Sequence, residues 1–155
     1  MRVRVIAVGT KMPSWVNDGC KEYIKRLPAE IKWEVIEIPL GYRAKNSDTA
    51  RAIKQESDAI LNAVGSDDWV VALEVTGKSW STELLAKNMS NWQMDGYNLS
   101  ILIGGPDGLS PECLSRANHK WSLSGLTLPH PLVRVLLAEQ VYRGWTILAG
   151  HPYHR

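Results

Sequence analysis

The residues of this chain best suited to chemistry gather in its last third. An apolar run, Ile101-Leu102-Ile103, leads straight into Gly104-Gly105-Pro106-Asp107-Gly108, where three of five residues are glycine. Missing side chains let backbone and ligand approach closely there. A second loop, Ser122 to Pro129, alternates small polar and apolar residues. It leads into His130-Pro131, with Pro131 placed to open a helix. The last five residues are His151, Pro152, Tyr153, His154 and Arg155. Apolar loops with free backbone groups suit a flat heteroaromatic cofactor. A His, Tyr and Arg tip suits a polar substrate, because it can stack a base and hold a phosphate.

Each motif has a plainer competitor. The glycine run lacks both GxxxxGK[ST] and G-x-G-x-x-G, so neither a phosphate loop nor a dinucleotide fingerprint is expected, and a simple tight turn competes. The stretch Leu123 to Leu128 either fills a core as short strand and loop, or forms a pocket. In the pocket, backbone groups would meet adenine edges while Leu126 and Leu128 sandwich the ring. His151 and His154 have H-x-x-H spacing, but no further Cys or His cluster accompanies them, so no metal is expected. A frayed tail is the plain reading of the tip. His130, between two prolines, is either structural at a helix start or catalytic. Arg134 and Arg143 read as a solvated face. The stripe Leu132, Val135, Leu136, Glu139 and Tyr142 suggests one packed side, against a second subunit. His119 and Lys120 read as surface.

These residues need elements to hold them. Apolar runs predict strands over 2–8, 32–38, 69–75 and 99–103, with a short fifth over 121–124. Thr76-Gly77-Lys78 reads as a turn. Helical spacing begins at Pro13-Ser14, where Trp15, Gly19, Tyr23 and Leu27 recur at fours and Glu22–Arg26 form an i,i+4 pair. A second helix starts at Ser47-Asp48, carries Ala50, Ile53, Ser57, Ile60, Leu61 and Val64, and stops at Gly65. Others run from Ser81 to Met94, briefly from Ser110, and from Pro131 to about Trp145. Strands alternating with helices predict an α/β fold, a mostly parallel sheet with helices on both faces. With no repeat or linker, residues 1–155 read as a single domain. Ligands in such folds bind outside the carboxyl ends of strands. Glu74-Val75-Thr76, Gly104-Gly105 and the Ser124–Pro129 loop should therefore converge.

Composition narrows the classes. With 45% apolar and 22% charged residues, the chain has the balance of a soluble globular protein able to bury a core. A net charge of +2 and a pI near 8.6 are too mild to announce nucleic-acid binding. An RNA enzyme reading shape and single-stranded bases stays open. Cys20 and Cys113 form no C-x-x-C pair and read as reduced thiols. No apolar stretch is long enough to span a membrane, and MRVRVIAV is too short and alternating for a signal peptide, so a cytoplasmic location is expected. Seven tryptophans beside no phenylalanine have no account at this level.

The segments IGGPDGLS, SLSGLTLPHPLVRVLLAEQVYRGW and HPYHR, with VIAVGTKMPSW near the start, resemble the small SPOUT-class methyltransferases of the RlmH type. The resemblance runs end to end. It implies a C-terminal trefoil knot, which no bottom-up argument would propose. It also implies S-adenosylmethionine as cofactor, and methyl transfer to N3 of a pseudouridine in 23S, large-subunit ribosomal RNA. The RNA would be presented by the large subunit or the assembled ribosome to a homodimer whose site lies near the subunit interface. By position, Leu73, Gly104, Gly105, Leu123, Ser124, Gly125, Leu126, Thr127 and Leu128 would line the cofactor site, with Gly104 leaving room for adenosine. HPYHR would complete the active site. His154 or His130 suits the proton step. Arg155 or Arg143 suits a developing oxyanion or a phosphate, and Tyr153 suits the base. The alternative is a non-catalytic, ribosome-associated α/β nucleotide-binding protein, which would have little need of the HPYHR cluster. A nicotinamide-dependent enzyme is disfavoured by the missing glycine fingerprint.

Overall fold

The computed structural model describes residues 1–43 and 49–154. The strands are β1 (Arg2–Val8), β2 (Lys32–Ile38), β3 (Trp69–Ser79), β4 (Leu99–Ile103) and β5 (His119–Ser122). They alternate with helices α1 (Ser14–Ile24), α2 (Ala50–Ala63), α3 (Thr82–Met94), α4 (Pro111–Arg116) and α5 (His130–Ala149). The strands form one sheet in the order β2-β1-β4-β3-β5, and every pairing is parallel. The expected helix start at Ser47-Asp48 lies outside the described residues.

Alternation along β1 shows why these strands read as continuous apolar runs. Val3, Val5 and Ala7 face a core completed by Leu85 and Met89 of α3 and Leu137 and Val141 of α5. Ile6 and Val8 face the other core, with Ile60 of α2 and Cys113 of α4. Both faces of the sheet are covered, so both sets of positions are mostly apolar. At the β2 edge Lys32, Glu34 and Glu37 are exposed, and such charges discourage further strand pairing. Serine caps set two helix starts: Ser81 Oγ accepts from Leu84 N–H (3.1 Å), and Ser110 Oγ from Cys113 N–H (3.1 Å). Gly150, at φ 70°, closes α5 in the left-handed conformation.

The structure departs from the expected elements in several places. First, β3 continues through the expected turn at 76–78. After an irregularity, Lys78 and Ser79 pair with Trp121 and Ser122. Gly77 permits this, since a Cβ there would lie 2.6 Å from the Lys120 carbonyl carbon. Second, β5 begins at His119, because Asn118 and the two residues after it are already drawn against β3; Asn118 N–H donates to the Val70 carbonyl (2.7 Å). Third, α5 runs past Trp145 to Ala149, since only Gly150 supplies a stop. Fourth, Trp15 is half exposed, and α1 turns Val16 inward instead.

His119 is not a surface residue. Its ring sits 5.5 Å from Trp69, 5.3 Å from Trp80 and 6.3 Å from Trp92, and Trp80 stacks on Trp121 at 4.8 Å. Burial, and secondarily Lys78, push the His119 pKa below its ordinary value. Four of the tryptophans thus serve one aromatic cluster beside the β5 edge. Large flat rings bury more area per residue than phenylalanine would there.

Candidate functional site

The carboxyl ends of β1, β4 and β5, with the irregular stretch of β3 that begins at Leu73, open into a cleft of about 770 Å³. That lies within the range of about 300–1,000 Å³ usual for small-molecule pockets. Leu73, Glu74 and Val75 form one wall, Ile103 to Leu109 a second, and Leu123, Ser124, Leu126 and Leu128 a third. The convergence expected from the strand ends is therefore what the fold produces. Gly125 and Thr127 belong to the third loop without lining the cleft. Val8, Gly9, Met12 and Leu40 add a floor that strand periodicity could not reveal.

Gly104 serves the loop in a way the sequence reading did not foresee. A Cβ at Gly104 would point into the loop's own backbone, 2.7 Å from Gly108 C and 2.9 Å from Leu109 N. The glycine lets the chain fold back on itself, so the missing side chain shapes the wall. Farther along the loop, Asp107 accepts from Arg43 Nε (3.0 Å), and Arg43 Nη1 donates to Glu56 Oε2 (2.7 Å). Glu56 is buried and also accepts from Gly41 N–H (2.9 Å). This clasp ties the chain after β2 to the glycine loop. A guanidinium and an amide both meet its Oε2 and offset the cost of burial there, while Oε1 has no hydrogen-bond partner among the described residues.

In the third loop, Leu126 N–H donates to Ser124 Oγ (2.9 Å), and Ser122 Oγ donates to the Ser124 carbonyl (3.1 Å). These bonds hold the loop's curve. They also occupy two backbone groups that the sequence reading had left free for a ligand. Leu126 is largely exposed at the rim, and Leu128 is half-buried.

His130 lines the cleft at the start of α5. Arg134, expected on a solvated face, is only 6% exposed. It donates through Nε to His130 Nε2 (2.9 Å), through Nη1 to Glu37 (2.6 Å) and through Nη2 to the Gly9 carbonyl (2.8 Å). Burial first, then the Arg134 charge, hold the His130 pKa below its ordinary value, against a hydrogen bond to the Gly104 backbone and the Glu37 charge.

The C-terminal tip lies apart from the cleft. Pro152–His154 make one 3-10 turn that docks on α5. The Tyr153 ring packs edge-on to Tyr142 at 4.7 Å, and its hydroxyl donates to Glu139 (3.1 Å). Arg143 lies over the same ring and donates to Glu139 (2.8 Å). Burial, reinforced by Glu139, raises the Tyr153 pKa to about 12, so it stays a phenol at neutral pH. From His130 to Glu139 is nine residues of helix, about 13 Å at 1.5 Å per residue. Within one chain, none of Arg143, Tyr153 and His154 lines the cleft. Arg155 lies outside the described residues. The tip is therefore a docked element, in contrast to the frayed tail that composition allowed.

A family model described as "Predicted SPOUT methyltransferase" matches residues 1–154. The chain belongs to the SPOUT methyltransferase family. Two curated relatives, from Marinomonas sp. (strain MWYL1) and Hahella chejuensis (strain KCTC 2396), are each 59% identical to it over 155 residues. They match 100% of this chain and 100% and 99% of their own lengths, and both are named "Ribosomal RNA large subunit methyltransferase H". Among solved structures, TrmJ from Z. mobilis ZM4 shares the fold at a TM-score of 0.53 and 14% identity, over 92% of this chain and 70% of that one.

For this SPOUT methyltransferase, sequence reasoning found the three converging loops and missed what braces them. Arg134 stands four residues after His130, a helical-neighbour spacing that signals the contact. Nothing local signals that Glu37 of β2 completes it. The Arg43–Glu56–Asp107 clasp joins segments 64 residues apart and left no pattern in the sequence.

Proposed function

We propose that residues 1–155 act as one domain that transfers a methyl group from S-adenosylmethionine to N3 of a pseudouridine in large-subunit (23S) ribosomal RNA. One observation carries the reading: a largely apolar cleft at the strand ends, edged by the Gly104–Gly108 loop, in a SPOUT chain. The names of the curated relatives support the RNA. The cleft suits the cofactor in kind. Leu73, Leu123 and Leu128 offer apolar walls for an aromatic ring, and the folded-back glycine loop offers an edge of bare backbone. When bound, S-adenosylmethionine supplies the methyl group from a sulfonium.

The chain's own residues then have a positioning task. Tyr153, a phenol at neutral pH, orients or stacks the base and accepts no proton. Arg143, held by Glu139, presents positive charge to a phosphate or to the developing oxyanion. His154, whose Nδ1 is enclosed with no hydrogen-bond partner among the described residues, is the tip's imidazole for the proton step, through its other ring nitrogen. Arg155 belongs to the same cluster by sequence.

The distance between tip and cleft supports a shared site, in which one subunit's tip serves the cleft of another. Trp15 on α1 and Leu132 on α5 are 50% and 46% exposed, apolar surface that a second copy would cover. The homodimer is part of the proposal, as are the knot, which the likeness to a SPOUT fold supports, and a cytoplasmic location. No described helix is long and apolar enough to cross a membrane. Sedimentation at micromolar concentration is expected to give about twice 17.3 kDa. A monomer that still methylates RNA would remove the shared site.

The function is tested by incubating labelled S-adenosylmethionine with whole ribosomes, large subunits and naked RNA. Label is expected in large-subunit RNA of one of the assembled particles. Calorimetry should show S-adenosylhomocysteine binding and no NAD binding; NAD binding alone would overturn the assignment.

A further inference from the structure

His130 lines the cleft and is held at Nε2. Arg134 Nε–H donates to His130 Nε2 at 2.9 Å. A guanidinium has only donors, so Nε2 must present a lone pair and carries no proton. The single proton of the neutral ring then sits on Nδ1, and the Gly104 backbone is near enough to act on the ring. Arg134 cannot swing away to release the ring. Its remaining nitrogens are committed to Glu37 and to the Gly9 carbonyl, 2.6 and 2.8 Å away.

We infer that His130 is a positioning residue, locked by Arg134 as the neutral Nδ1–H tautomer, which sits between the glycine loop at Gly104 and the Arg134–Glu37 pair and takes no proton from the substrate. The inference rests on the proposed function only for what the loop binds. Two facts exclude the base role. Neither nitrogen has a spare lone pair facing the cleft. Protonating Nε2 would also break its bond to Arg134 and set two cations side by side. The charged and titratable groups around the ring are Arg134 on α5 and Glu37 on β2, with the Cys20 thiol of α1 close enough to feel Arg134. Burial raises the pKa of that thiol, against the lowering effect of Arg134, so Cys20 adds no charge at neutral pH. The one anion, Glu37, is already paired with Arg134. The ring therefore works as a spacer with one donor and one acceptor, and the proton step passes to another group.

The tautomer is read directly by nitrogen NMR of 15N-histidine-labelled full-length protein, with the His130 signals assigned by their loss in His130→Gln. The expected pattern is a neutral Nδ1–H ring at neutral pH, protonated only below the ordinary histidine range. An Nε2–H ring, or a ring already protonated at neutral pH, overturns the inference. Glutamine carries a donor and an acceptor at similar spacing, and alanine carries neither. His130→Ala is expected to weaken S-adenosylhomocysteine binding about tenfold, and His130→Gln to recover most of that loss. The acid limb of the methyl-transfer pH profile should stay in place in both variants. Disappearance of that limb, or a rate loss of about 100-fold in both at saturating cofactor, also overturns it. If the wild-type protein binds no S-adenosylhomocysteine, the proposed function fails, and the NMR result still decides the tautomer.

Discussion

Removing residues 151–155 is expected to cut methyl transfer to ribosomal RNA by about 10²–10⁴-fold, the range supplied by a positioned acid or base. The tip holds His154, Tyr153 and Arg155, the densest set of proton-transfer and anion-binding groups in the sequence. The structure changes the expected side effects. A floppy tail would cost nothing to remove, but this tip is docked. Tyr153 packs on Tyr142 at 4.7 Å and donates to Glu139 at 3.1 Å. An aromatic pair is worth about 0.5–1.5 kcal/mol and a net hydrogen bond about as much, so truncation should cost about 1–3 kcal/mol. A denaturant titration reads that loss. S-adenosylhomocysteine affinity should change little, because the cleft of the same chain is lined by none of residues 151–154. His154→Ala and Arg155→Ala should each reproduce part of the rate loss. A truncated enzyme near wild-type rate would make the tip structural only, and the base would have to come from the RNA.

Gly104→Val is expected to abolish S-adenosylhomocysteine binding and to destabilise the fold together. The new Cβ would lie 2.7 Å from Gly108 C and 2.9 Å from Leu109 N, both backbone atoms that cannot rotate aside. The loop must open, and the two γ-methyls of valine widen the opening. Overpacking of this kind costs about 1–3 kcal/mol. The Gly104 wall of the cleft, which His130 also lines, would move with it. Gly104→Ala should lie between, with measurable and weaker binding. Calorimetry beside a melting curve separates the outcomes. A valine variant that is destabilised yet binds at wild-type affinity would place the cofactor elsewhere.

Strand alternation, helix spacing and serine caps made the five strands and the starts of α1, α3, α4 and α5 legible, because each depends on residues close in sequence. Ser81 and Ser110 both cap as read, and β1, β2 and β4 keep their expected ends. The Thr76-Gly77-Lys78 segment misled because glycine marks a close approach as well as a turn. Only the neighbouring Lys120 backbone decides which. Polarity alone points His119 and Arg134 to the surface; long-range partners instead pack His119 among tryptophans and bury Arg134.

By itself, the sequence determined the α/β alternation, the three loops that converge at the strand ends, and the motifs that mark the family. Local periodicity and runs of specific residues are enough for those. The tertiary structure decided everything that depends on contact between distant segments. Glu37 reaches Arg134 across 97 positions and thereby settles what His130 can do. Arg43 reaches Asp107 across 64 and pins the glycine loop. Tyr153 folds back on Tyr142 and turns a polar tail into a docked element. Such pairings follow from how the sheet orders its strands and where the helices cross it, and no spacing within one segment records them.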